Sequence, residues 1–356
     1  MERVSDARGE VIVEHHRERA VVTPDLSVCV PTFERPELLA RALASVVDQD
    51  GPDAHRIELL VSDNSPAVSR SVAESNVERW SGPTRYLANE RSIGAIANFN
   101  QCLREARGTW ILFLHDDDYL LPGAMASILE AIGRPDGDSV LLFGVDVVDD
   151  YGRRRRRQSF DVVERLHPRQ ALVRLMSDSS FVRIPSIVIR RDVFDEVGQF
   201  DEALGNPTDF DLLIRVFARY GLRCEPRTIA AYSVRAGAAT AEMFNADTIA
   251  RLMTIFRRAR NLKVLPESVM DRCEADWFHQ FILGGAYRQL RAGEPRRART
   301  ILELFHLPEV RALGVSSRWR PIRWFFEMVV RLPPEIASKA MRVIGGISPE
   351  RFWLSW

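Results

Sequence analysis

The sequence predicts an α/β fold: a mostly parallel sheet flanked by helices, followed by an α-helical C-terminal extension. Three observations lead there. Short apolar runs alternate with segments of helical period, the pattern of strands joined by crossover helices. Polar clusters follow directly on the apolar runs, where parallel sheets bind their ligands. From about Ala246 onward the period is helical throughout.

Residues 1–24 are polar, end at Pro24 and read as a loose leader; Met1 to Ala20 lacks the apolar stretch of a signal peptide. Leu26 to Val30 is a buried strand stopped by Pro31. Pro36 opens a helix at its first turn, with Leu39, Leu43, Val46 and Val47 among its apolar face. Ile57 to Val61 is a second strand, ending in Ser62-Asp63-Asn64-Ser65, and Arg85 to Leu87 a third. Gly94 to Arg107 is helical, and Trp110 to Leu114 is a strand running into His115-Asp116-Asp117-Asp118. A helix follows Pro122, then a strand over Ser139 to Val145 and five arginines, Arg153 to Arg157. Such a run reads as a solvated hairpin tip, or as contact with an anionic lipid or acidic acceptor. Ile187 to Ile189 and Ile229 to Val234 are strand-like and enclose a helix over Asp209 to Tyr220. The division expected is a leader over 1–24, one domain over 25–240 and a helical region over 241–356.

Composition bounds the function. The 356 residues are 46% hydrophobic and 28% charged, which excludes disorder, collagen and coiled coil for the whole chain. Lys+Arg and Asp+Glu are both 49, so no global charge favours nucleic acid. From Glu242 onward, however, 19 basic residues face 12 acidic ones. There Trp319, Trp324, Phe325, Phe326, Trp353 and Trp356 alternate with Arg318, Arg320, Arg323, Arg331, Arg342 and Arg351. That mixture suits an interfacial helix on a membrane, a helical domain packing its aromatics inward, or a dimer face. No window reaches the ~18 uninterrupted apolar residues of a membrane span. The four cysteines form no CxxC pair and read as reduced thiols. The expected location is cytoplasmic, or peripheral on the inner face of the cytoplasmic membrane.

Three consecutive aspartates after a buried strand repel one another unless something positive meets them. A divalent cation removes the conflict, and magnesium sites typically combine one or two carboxylates with substrate phosphates. Asp116 to Asp118 therefore read as a place for a metal-bound diphosphate. The plainer alternative is a solvated turn, with Asp118 capping the next helix.

The chain resembles glycosyltransferase family 2, which has the GT-A fold, over about residues 25–235. Pro31-Thr32-Phe33-Glu34-Arg35-Pro36, Val61-Ser62-Asp63-Asn64-Ser65, Gly94 with Asn98, and Phe113-Leu114-His115-Asp116-Asp117-Asp118 with Pro122 carry the likeness. It continues through Pro185-Ser186, Gly198-Gln199-Phe200-Asp201-Glu202 and Asp209-Phe210-Asp211-Leu212. The resemblance implies an inverting transferase using a UDP- or dTDP-linked sugar donor and a divalent metal, Mn2+ or Mg2+. Its acceptor would be a glycan or lipid-linked precursor in cell-surface polysaccharide synthesis. Pro31, Thr32, Glu34 and Arg35 would line the nucleotide, with Gly94 and Asn98, and Asp63 would bond the base. Asp116 would face the ribose or the metal, Asp117 would be the main metal ligand, and Asp118 a second ligand or a support. Asp209 would be the catalytic base. Two positions depart from the commonest form: His115 stands where an aspartate is usual, as a ligand or as an orienting, packed side chain, and Thr208 replaces the first acid of a Glu-Asp pair. Asp209 at a helix start is also a plain cap, and Asp211 is expected to pair with Arg215 at i+4. The other readings are an inactive transferase-like scaffold, which predicts loss of the metal cluster or the base, and a nucleotidyltransferase, which needs a glycine-rich basic loop that Thr32-Phe33-Glu34-Arg35 does not supply.

Overall fold

The computed structural model describes residues 2–5, 11–14, 23–178, 180–234, 243–315 and 317–347. It divides into two compact units. The first holds Met1–Leu166, Arg183–Thr208 and Tyr220–Arg235, and the second His167–Val182, Asp209–Arg219 and Ala236–Trp356.

The leader, expected to be loose, contains an antiparallel pair, β1 (Glu2–Ser5) and β2 (Val11–Glu14). The first unit then alternates as the apolar pattern requires. β3 (Leu26–Thr32) leads to α1 (Pro36–Val47), whose Leu39, Leu43 and Val46 are buried. β4 (Ile57–Asp63) follows, then α2 (Pro66–Val77) and β5 (Thr84–Ala88). The sequence Pro-Ala-Val-Ser-Arg-Ser-Val-Ala-Glu-Ser-Asn-Val shows little apolar periodicity, which hid α2 from view. α3 (Ala95–Glu105) and β6 (Trp110–Phe113) bring the chain to the aspartates. Beyond them lie β7 (Tyr119–Leu120), α4 (Ala124–Ile132) and β8 (Val140–Val148).

The arginine run is a strand rather than a hairpin tip. β9 (Arg154–Gln158) pairs antiparallel with β8 across a turn at Tyr151-Gly152, where Gly152 takes φ +72°. Its charge is met by acids on β8 and the turn: Arg157 lies 2.7 and 2.9 Å from the two Asp146 oxygens, and Arg155 2.7 Å from Asp149. β10 (Glu164–Leu166) closes the segment.

In the second unit α5 (Pro168–Ser177) comes next. The first unit then resumes with β11 (Ile187–Arg190) and α6 (Val193–Val197). α7 (Thr208–Tyr220) leads to β12 (Leu222–Ser233). β12 begins well before Ile229 because its first turn of charge is buried and paired: Arg223 sits 2.9 Å from Asp136, 3.0 Å from Asp138 and 2.7 Å from Glu225.

The main sheet path is β10-β12-β8-β11-β6-β3-β4-β5, with β7 on β12 and β9 on β8. β6, β3, β4 and β5 are parallel neighbours, β12 is parallel to β8, and β11 and β10 run against their neighbours. Val28, Val30, Leu59, Val61, Leu112 and Leu141 form the sheet side of one core with Leu39, Val46 and Ile128 from the helices. The parallel half places the ends of β3, β4 and β6 side by side.

The remaining second unit is helical: α8 (Ala246–Asn261), α9 (Glu267–Arg291), α10 (Pro295–Glu303), α11 (Pro308–Ala312), α12 (Trp319–Val329) and α13 (Pro334–Ile347). Among the described residues no helix is long and apolar enough to cross a membrane. The aromatic set, read as a membrane-facing, inward-packed or dimer face, is split. Trp319 and Phe326 are buried, because they lie on the inward face of α12 with Val329; Trp324 is exposed. Arg351, Trp353 and Trp356, and the Arg342 side chain, lie outside the described residues.

Candidate functional site

The pairing register sets Thr32 directly beside Asp63, at the ends of β3 and β4. β6 stops at Phe113, and the turn that follows carries His115 to Asp118, closed by a bond from the Asp118 N–H to the His115 carbonyl at 3.1 Å. The segment from Pro31 to Arg35 and the aspartates are thus brought together. The Thr32 hydroxyl donates to Asp116 at 2.9 Å, and Arg35 lies 3.3 Å from Asp116 and 3.6 Å from Asp117. Glu34 takes φ +53° and donates its N–H to the Ser65 hydroxyl at 2.6 Å, tying the loop after β3 to the loop after β4. Pro31 lies within β3 beside Ser62.

The three carboxylates are held differently. Burial, and then the charge of Asp117, push Asp116 up to about 6, against the pull of Arg35 and Thr32. Asp118 is fully buried and pushed well above the usual carboxylate range by burial and by Asp117. One of its oxygens accepts the Ser233 N–H at 2.8 Å; the other, Oδ2, has no hydrogen-bond partner. Leaving a buried carboxylate oxygen unmatched is costly. His115 Nδ1 stands 3.7 Å from that oxygen, beyond hydrogen-bond reach. Burial lowers the His115 pKa, which favours the neutral imidazole a metal requires, and the ring packs edge-on to Phe99 at 5.4 Å. One ligand atom from each of His115, Asp117 and Asp118 lies within 4.8 Å of the others. A hard cation at that point would match the orphan oxygen and offset the mutual repulsion, so these residues fit a divalent metal.

Two residues expected to touch the nucleotide also hydrogen-bond within the frame. Asp63 is fully buried, and its oxygens accept the Ser65 N–H at 2.7 Å and the Tyr86 hydroxyl at 2.7 Å. Asn98 is buried, donates to the Ser62 carbonyl at 3.0 Å and accepts the Ser62 hydroxyl at 2.6 Å. Gly94 takes φ +90°, and its carbonyl accepts from the Asn64 amide at 3.1 Å. Arg41 was not singled out in the sequence. It donates to the Asp117 carbonyl and, at 3.1 Å, to the Ser233 hydroxyl. Nothing in the sequence marks Arg41 or Ser233: one is a polar residue on a surface helix, and the other meets Asp118 across 115 residues of chain.

Asp209 belongs to the second unit, in the first turn of α7, where one of its oxygens accepts the Phe210 N–H at 2.7 Å. Asp211 is buried and pairs with Arg215 at 2.8 Å, as the i+4 spacing requires, and with Arg258 at 3.5 Å.

Residues 27–198 match the family Glycosyl transferase family 2. The chain is 35% identical over 108 residues to the GalNAc(5)-diNAcBac-PP-undecaprenol beta-1,3-glucosyltransferase of Campylobacter jejuni, covering 30% of this chain and 34% of that protein. It thus spans about a third of that relative's length. Among solved structures it resembles S. aureus TarS 1-349 in complex with UDP-GlcNAc, with a TM-score of 0.57 and 18% identity over 90% of this chain and 92% of that one. It also resembles the mannosyltransferase PcManGT of Pyrobaculum calidifontis in complex with GDP-Man and Mn2+, with a TM-score of 0.51 and 15% identity over 92% and 87% of the two chains. At these identities the structures speak to the fold, a mixed α/β sheet of the GT-A type. The family match over residues 27–198 and the curated relatives support a family 2 glycosyltransferase, and the fold is that of the GT-A type.

Proposed function

We propose that this protein transfers a sugar from a nucleoside-diphosphate donor, UDP- or dTDP-linked, to a hydroxyl of a glycan or lipid-linked acceptor, in one metal-dependent displacement with inversion. The observation that carries the reading is the buried Asp118 oxygen, unmatched by any hydrogen-bond donor, beside His115 and Asp117 at the ends of the parallel strands. His115, Asp117 and Asp118 would hold the cation. When bound, it neutralises the charge that develops on the leaving diphosphate. The family match, the UDP-GlcNAc bound by one structural neighbour and the lipid-linked substrate in the Campylobacter protein's name support the reading; the GDP-Man and Mn2+ of the other neighbour support a nucleotide-sugar donor and a divalent metal, though not the base.

The chain's own residues have distinct tasks in this proposal. Thr32 orients the Asp116 carboxylate toward the ribose. Arg35, half exposed and flanked by Asp116 and Asp117, swings toward the donor's phosphates. Asp63 bonds the base and Asn98 lines the nucleotide, while their bonds to Tyr86 and Ser62 hold the surrounding loops in place. As the acceptor oxygen attacks the anomeric carbon, the bond from that carbon to the diphosphate oxygen breaks. Its electron pair leaves on the nucleoside diphosphate, and Asp209 takes the acceptor's proton.

The experiment is a panel of nucleotide sugars with and without Mn2+ or Mg2+, scored for release of nucleoside diphosphate. Metal-dependent release that is nearly abolished in Asp117→Ala is the expected result. One observation favours the other reading, an inactive scaffold: Arg35 already contributes positive charge to the aspartates. No release from any donor, together with no metal-induced stabilisation, would establish that reading.

A further inference from the structure

We propose that the outward face of α12, with the start of α13, docks this protein on an anionic phospholipid surface. This goes beyond the transfer reaction and does not depend on it.

α12 already has one face committed to the fold. Trp319 is buried, donates its indole N–H to Asp276 at 2.6 Å and stacks on His279 with ring centroids 5.7 Å apart; Phe326 and Val329 are buried with it. A surface helix with that face satisfied is normally polar on the other. Here the outer row is Arg320, Trp324 and Met328, each four residues from the last and all exposed. Trp324 is 63% exposed and Met328 45%. Leu332 and then Ile336, on α13, continue the exposed apolar series at 39% and 54%. A single exposed apolar residue needs no explanation, but four large ones within 324–336 do.

The charges beside them indicate the partner. Arg320, Arg331 and Lys339 are exposed and have no acidic partner among the described residues, whereas Arg323 is paired with Glu327 at 2.9 Å. Glu335 is the one exposed acid between Arg320 and Lys339. Apolar side chains including a tryptophan, rimmed by unpaired cations, match a headgroup layer: the apolar groups enter the acyl boundary and the cations meet lipid phosphates. A second copy of the chain is the poorer occupant, since a two-fold contact over this face would set the unpaired cations of both copies together. The basic excess from Glu242 onward acts in the same direction.

The test is sedimentation of the full chain with vesicles of phosphatidylcholine alone and of phosphatidylcholine with phosphatidylglycerol, without any sugar donor. Binding is expected only to the anionic vesicles and should weaken as salt is raised. Trp324→Ser with Met328→Ser should lower the apparent affinity about tenfold. Arg320→Gln with Arg331→Gln should lower it ~30-fold, at about 1 kcal/mol for each charge. Both pairs are exposed, so circular dichroism should be unchanged, and each pair checks the other. Equal binding to both vesicle types, parental binding by both variants, or a parental dimer that becomes monomeric in the Trp324/Met328 variant without any lipid binding would overturn the proposal. Because no donor is present, failure here is separable from failure of the proposed transfer.

Discussion

The Thr32 hydroxyl holds the Asp116 carboxylate at 2.9 Å, joining the end of β3 to the turn after β6. This bond and Arg35 only partly offset what burial and Asp117 do to Asp116, so its carboxyl stands at about 6 instead of 3.8. The folded protein therefore binds a proton more tightly here than the unfolded chain does. Between about pH 4 and pH 6, stability from this group falls as pH rises, and above pH 6 the full penalty is present. In chelator, a shift of this size costs about 3 kcal/mol. Asp116→Asn should flatten that part of the stability-versus-pH curve in denaturant melts. Thr32→Val, which removes the bond, should steepen it. A curve unchanged in Asp116→Asn would assign the pH dependence elsewhere.

Asp118 should show stability and function in opposition. Its Oδ1 accepts the Ser233 N–H, and its Oδ2 is buried without a donor. Asp118→Asn keeps an acceptor for Ser233 and removes a buried charge crowded by Asp117. The metal-free variant should be more stable than the parent by roughly 1–3 kcal/mol. The same change removes one of the proposed metal ligands. Manganese at a hundredfold excess over its Kd should stabilise the parent by about 2.7 kcal/mol and should do little for the variant. Thermal melts with chelator and with Mn2+ check both halves; a variant less stable in chelator would mean that Asp118 is matched in the apo protein.

Asn98 shows how a motif residue can brace a site as well as touch a ligand. It is expected at the nucleotide, and it also bridges the ends of β3 and β4: its amide reaches the Ser62 carbonyl at 3.0 Å and the Thr32 carbonyl at 3.4 Å. Asn98→Ala leaves these strand ends without their link and should cost about 2–4 kcal/mol. If Asn98 acts as a brace, donor affinity should fall only through loosening of the loops. A variant as stable as the parent, with donor binding lost, would assign Asn98 a direct contact instead.

The same distinction separates what the sequence disclosed from what it did not. Strands such as Leu26 to Val30 and Trp110 to Leu114 were legible because burial on both faces demands continuous apolar runs. The aspartates were legible because like charges after such a strand need a counter-charge. The start of β12 was hidden because Arg223 and Glu225 enter the interior as a pair, and hydropathy registers only their charge. Arg41 and Ser233 were hidden because their roles arise from pairing distant in sequence. Asp63 and Asn98 were legible as residues, but a motif names a side chain without its direction, so their hydrogen bonds to Ser65, Tyr86 and Ser62 had to come from the structure.

Asp209 and Asp211 pose the last question, because both begin α7 and both carry a carboxylate. Asp211 is buried between Arg215 and Arg258, at 2.8 and 3.5 Å, a structural pairing. Asp209 is less buried, and its oxygen meets the adjacent Phe210 N–H. If Asp209 is the base, Asp209→Asn should keep donor binding while turnover falls roughly 100- to 10,000-fold. Asp211→Asn should lose about 1–3 kcal/mol of stability, with turnover per folded molecule nearly unchanged. Each variant differs from the parent by one oxygen-to-nitrogen exchange, at positions two apart, so donor titration, melting and turnover measured side by side separate base from brace. If Asp209→Asn loses only stability, Asp209 is a helix cap and the proton must go to another group.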